Sequence, residues 1–197
     1  MASMKNTRDI FNAVNGPAGD MHPEPPTRLT PGRRAALYGV LTAAALVCGY
    51  LELLIPVSVG VPGIKLGLGN AVVLIALVRM GAKSGLYLMF AKVIASTLLF
   101  ANMQMLVFSL AGGLLSWAIM ALAVRSGLFS TVGTSVLGGI AHNAGQLVAV
   151  AALLSPRVAL VNVPILAVAG VLCGAVVGVA CQLALRALPQ EAFDGRL

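Results

Sequence analysis

From Ala35 onward the sequence alternates between long apolar runs and short polar breaks. The runs fall at about 35–55, 66–80, 84–100, 105–124, 131–154 and 160–187. An α-helix rises about 1.5 Å per residue and the hydrocarbon core of a bilayer is about 30 Å thick, so about 20 apolar residues cross it. Five runs reach or approach that length. The second is shorter and opens on Gly67, Gly69 and Asn70, which predicts a partly unwound or re-entrant entry. Non-helical backbone at depth is tolerated only where protein or a wet cavity satisfies it. The pattern predicts an all-α integral membrane bundle of about six transmembrane helices over residues 34–188. Residues 1–33 are polar and proline-rich around Pro17 and Pro23–Pro26. They predict a disordered tail, and residues 189–197 a second, short one. The first apolar run begins too late and is too long for a secretory leader.

Composition sharpens this picture. Only 10% of the 197 residues are charged and 59% are hydrophobic, with mean hydropathy +0.96. Soluble domains carry about 25% charged residues, so this chain has too few to coat a water-exposed surface. The 22 glycines suit helices that pack backbone to backbone in lipid, where apolar burial no longer drives association. The net charge of +7 does not point to nucleic acid, because basic residues stand singly at the ends of apolar runs, Arg33-Arg34 apart. They read as topology signals. With six spans, one side receives Lys5, Arg8, Arg28, Arg33, Arg34, Arg79, Lys83, Arg125, Arg186 and Arg196. The other receives Lys65 and Arg157, while Lys92 falls within a span. Both termini are therefore expected in the cytoplasm. Cys48, Cys173 and Cys181 sit within apolar runs without metal or redox spacing and read as packing residues.

Polar residues inside a membrane are costly, so they mark candidate sites. Glu52 lies near the outer end of the first span, Lys65 in the loop that follows, and Asn70 at the start of the second. Lys92 lies near the middle of the third span, and His142, Asn143 and Gln146 occupy the fifth from its middle outward. His142 and Gln146, four apart, share a face. All lie at mid-depth or above, which predicts a polar cavity open to the outside and closed toward the cytoplasm. Two readings stand for several of them. Glu52 and Lys65 form either an interfacial ion pair or part of a ligand site. His142 is either a hydrogen-bonded packing residue or a ligand contact, and Asn102 and Gln104 either cap helices or face the cavity. Small residues recur every four positions at Ala35, Gly39 and Ala43 and again at Gly170, Gly174 and Gly178. Each set is a close-packing face, the first one available to a partner. No phosphate-binding loop, paired carboxylates or metal-ligand set occurs in the sequence, so no catalytic or metal site and no cofactor is expected.

The runs Pro62-Gly63-Ile64-Lys65-Leu66-Gly67-Leu68-Gly69-Asn70, Ser109-Leu110-Ala111-Gly112-Gly113 and Ala141-His142-Asn143-Ala144-Gly145-Gln146 resemble the bacterial membrane family labelled Gx transporter, or heptaprenyl diphosphate synthase component I. The resemblance covers about residues 35–187. That family looks similar to the substrate-binding S components of energy-coupling factor transporters, multi-pass proteins of the bacterial cytoplasmic membrane. The resemblance implies capture of a micronutrient or cofactor-like solute, such as a flavin, a quinone precursor or an isoprenoid. It also implies a transmembrane coupling subunit, docked on Ala35, Gly39 and Ala43, and cytoplasmic ATPase subunits. The second label implies instead a noncatalytic membrane subunit of a synthase for isoprenoid chains.

Overall fold

A computed structural model describes residues 30–54, 67–100, 103–188 and 193, all of them helical or in short turns. Six helices follow in order: α1 (Pro31–Leu54), α2 (Leu68–Met80), α3 (Ala82–Phe100), α4 (Met103–Ser126), α5 (Thr131–Leu153) and α6 (Pro156–Ala187). All but α2 are long and apolar enough to cross a membrane. The described surface is itself apolar: Leu98, Leu122, Val148, Leu160, Val161 and Val176 are all more than 60% exposed. Water does not tolerate so broad an apolar surface, and lipid does. The chain is a multi-pass membrane protein.

The six predicted runs correspond to the six helices, with differences at their ends. The last helix starts at Pro156 rather than near residue 160, because Ser155 caps it and Pro156 takes its first position, where a missing N–H costs nothing. The Ser155 hydroxyl accepts from the Arg157 amide at 3.2 Å. Pro164 lies inside α6 without ending it.

α2 is the exception in length. Its 13 residues span only about 20 Å, too little to cross the hydrocarbon alone. It occupies the centre of the bundle, touching α1, α3, α4 and α6. Val72 through Leu77 are consecutively buried, which a helix allows only when protein surrounds it on all sides. Its end is fixed on the side of the bundle that carries Arg79, Lys83, Arg125 and Arg186. There Gly81, at φ 91°, stops α2 and lets α3 begin at the next residue, a backbone conformation that glycine takes without strain. The Arg79 guanidinium donates to the carbonyls of Leu185 and, at 3.1 Å, Leu188, satisfying the open carboxyl end of α6. Tyr38 donates to Ser84 at 2.8 Å, and Ser84 to the Met80 carbonyl at 3.1 Å, which ties α1 to the same junction.

The other half of the bundle is held by glycines. α5 packs extensively against both α4 and α6. A methyl group added to Gly139 would stand 2.5 Å from the Gly170 carbonyl oxygen, and one on Gly174 2.7 Å from the Val136 Cα. On the α4 side, a methyl on Gly145 would stand 2.5 Å from the Ala111 carbonyl oxygen. The face read as Gly170, Gly174 and Gly178 is thus a packing face, turned onto α5.

Candidate functional site

Because α2 is short and anchored at its carboxyl end, its amino end falls inside the bundle. Gly67, in the left-handed conformation at φ 78°, precedes it, and no side chain caps the helix. The first amides of a helix have no carbonyl within the helix to bond, and together they carry the positive end of its dipole, about half an elementary charge. Here the backbone amide of Asn70 donates to the Gly67 carbonyl at 2.7 Å. Asn70, on the first turn, accepts a 2.6 Å hydrogen bond at Oδ1 from the Lys92 ammonium of α3. Lys92 is ten residues into α3, about 15 Å along its axis, which is mid-depth. Its stem passes over Gly69: a Cβ there would stand 3.2 Å from Lys92 Cδ and 3.3 Å from Nζ. Two residues chosen from sequence alone, Asn70 and Lys92, are therefore brought into direct contact.

A small cavity of about 20 Å³ adjoins this point. Gly67 and Asn70 line it from α2, Met120 from α4, Ser135, Gly138 and Gly139 from α5, and Gly174 and Val177 from α6. It holds about one water molecule, far less than a whole vitamin or quinone. Ser135 is 5% exposed, and its hydroxyl makes no hydrogen bond among the described residues. The Ser116 hydroxyl of α4, 2% exposed, is also without a partner, and it lies 3.3 Å from where a Cβ on Gly138 would stand.

The remaining candidates divide. His142 and Gln146 are buried and face α4, where a Cβ on Gly112 would meet the His142 ring at 3.0 Å and Gln146 Cγ at 2.9 Å. Asn143 faces α6 and donates to the Leu166 carbonyl at 2.8 Å. Ser135, His142 and Gln146 follow one stripe of α5 at i, i+7 and i+11, so His142 stands about 10 Å along the axis from Ser135. Sequence reasoning missed Ser135 and Ser116. The signal for Ser135 was that spacing, which continues the His142–Gln146 face inward. Lys65 lies outside the described residues. Glu52 belongs to α1, but its side chain also lies outside them. Ala35, Gly39 and Ala43 are exposed, and nothing approaches within 4 Å of a Cβ on Gly39. No cluster of three metal-ligating side chains occurs among the described residues.

The profile of the family described as heptaprenyl diphosphate synthase component I matches residues 41–184. The chain belongs to that family. The match runs from the middle of α1 to the last turn of α6, so it takes in the whole described site. No curated protein and no solved structure matches the chain. The family description names a part of a synthase, and the helices make this member of the family membrane-embedded.

Proposed function

We propose that this protein is the membrane-embedded, solute-binding component of a larger assembly, built like the S component of an energy-coupling factor transporter. The observation that carries the reading is the Lys92–Asn70 pair at the uncapped head of a half-length helix. Discontinuous helices of this kind hold polar solutes in transporters, with the amino end of the half-helix directed at an anionic group. A purely structural scaffold has no use for a lysine at mid-depth, where charge is expensive. Lys92 and Asn70, with Lys65 and Glu52 from the neighbouring segment, are the proposed polar contacts. His142 and Gln146 continue the wall on α5, while Asn143 is engaged in holding α5 to α6. A cavity of about 20 Å³ admits only the tip of a solute, so uptake requires the helices to part. The α4–α5–α6 side is joined at backbone contact, so the parting is assigned to α1, α2 and α3.

The family description favours a second reading, a noncatalytic membrane subunit that recruits a soluble prenyltransferase in isoprenoid synthesis. Native mass spectrometry of the protein gently extracted from its host membrane separates the two. A retained small solute together with ATPase subunits is expected for the transport component. A copurifying prenyltransferase with no retained solute would replace it with the synthase subunit.

A further inference from the structure

The head of α2 and the cavity beside it have a feature that a general solute pocket does not require: the groups directed at them are donors. Asn70 commits its Oδ1 to Lys92, which fixes the amide plane and turns Nδ2 toward Gly67, 3.2 Å from where a Cβ on Gly67 would stand. Both residues line the cavity. Nδ2 makes no hydrogen bond among the described residues, so its two N–H groups remain available. From the opposite wall comes Ser135, a buried residue that lines the same cavity and makes no hydrogen bond among the described residues. A serine inside a helix ordinarily donates back to the carbonyl four residues earlier, and this one does not. Its hydroxyl is therefore left to whatever occupies the cavity. The dipole of α2 and the Lys92 ammonium both raise the positive potential at this point.

We infer that the amino end of α2, Asn70 Nδ2 and Ser135 Oγ form a recess for one oxygen of an oxyanion, a carboxylate or phosphate group, with Lys92 as the cation behind it. The inference rests on the solute-binding reading above and narrows it to solutes that present such a group. The cavity of about 20 Å³, with room for about one water molecule, accepts one oxygen of an anionic group and leaves the rest of the solute outside. A neutral isoprenoid offers nothing to these donors. Lys92 need not touch the anion, since its bond to Asn70 orients the amide. Ser135 lies on the stripe that continues through His142 and Gln146, so the recess forms the inner end of the polar wall of α5.

The test uses the full chain in nanodiscs of phosphatidylcholine, titrated with inorganic phosphate or acetate against chloride at equal ionic strength, with the unfolding midpoint as readout. Phosphate or acetate is expected to raise the midpoint saturably and chloride not to. Ser135→Ala, which removes one hydrogen bond to a charged group, raises the half-saturating concentration about tenfold. Asn70→Asp, which replaces the donors with a carboxylate of the same shape, abolishes the effect. Repeating the titration in phosphatidylglycerol discs identifies the source of the anion. Competition by that lipid in the wild type but not in Ser135→Ala points to a headgroup, and an unchanged curve points to a soluble anion. Equal behaviour of phosphate, acetate and chloride, or identical curves for wild type and both variants, would mean that the recess holds water only and would overturn the proposal. Phosphate binding without copurifying ATPase subunits would remove the transport assembly and leave the recess standing.

Discussion

Asn143 donates across the α5–α6 interface to the carbonyl of Leu166 at 2.8 Å, two residues beyond Pro164. A proline in a helix leaves the carbonyl four residues earlier without its backbone donor, here that of Leu160, so the Asn143 bond is an interhelical tie separate from that loss. Asn162 donates to the Val158 carbonyl of its own helix at 2.7 Å. Replacing Asn143 by alanine is expected to lower unfolding stability by about 0.6–2 kcal/mol, the range for hydrogen bonds between helices in a membrane. A denaturant titration in mild detergent checks it, and an unchanged midpoint would return Asn143 to the ligand-contact group. The sequence grouped Asn143 with His142 and Gln146 because all three are close in number and polar. Adjacent residues on a helix point about 100° apart, so neighbours in sequence serve different partners. His142 and Gln146, four apart, stay together on α4 as their spacing predicts. Ser135 went unread because a serine inside a helix usually bonds its own backbone, which left its spacing from His142 and Gln146 as its one signal.

At the scale of helices, α5 is gripped on both sides by contacts that leave no room for a methyl group. Gly145→Ala is the sharp test, because the new Cβ would stand 2.5 Å from the Ala111 carbonyl oxygen and 2.8 Å from the Gly112 Cα. Backbone atoms cannot turn aside as a flexible side chain can. The helices must separate, at a cost of about 1–3 kcal/mol as for other overpacked interiors. Thermal unfolding in detergent measures this, with Gly133→Ala as the control, since its Cβ would meet nothing closer than 3.5 Å. The Gly170–Gly174–Gly178 face was legible from its period of four. Its complement on α5 was not, because Gly138, Gly139 and Gly145 follow no single repeat and divide between two neighbours. The short second helix was legible as well, since its apolar run lies between Gly67 and Gly81, both of which take positive φ angles.

For the molecule as a whole, hydropathy gave the number and order of helices but not their neighbours. Helices that are apolar all round, as these are, carry no stripe to say which side meets protein and which meets lipid. That α2 lies at the centre followed from packing, not from any pattern in its residues. The outer face of α1 is the other side of this point. Ala35, Gly39 and Ala43 are exposed, and α1 packs mainly on α2 and α3. Gly39→Leu is expected to leave the unfolding midpoint of the isolated chain unchanged, because the position is exposed and nothing lies within 4 Å of a Cβ there. The same change should release a transmembrane partner in a copurification from host membranes; retention of every partner would show that the assembly uses another face. The junction between α2 and α3 offers one thing more. Trp117 is the chain's one tryptophan, and its indole Nε1 donates to the carbonyl of Ala82 at 2.9 Å, one residue past the Gly81 turn. Any tilt of α2 and α3 against α4 alters that bond and the polarity around the ring. The protein therefore carries its own optical gauge at the joint where its two halves meet, and its emission spectrum can follow their separation without an added label.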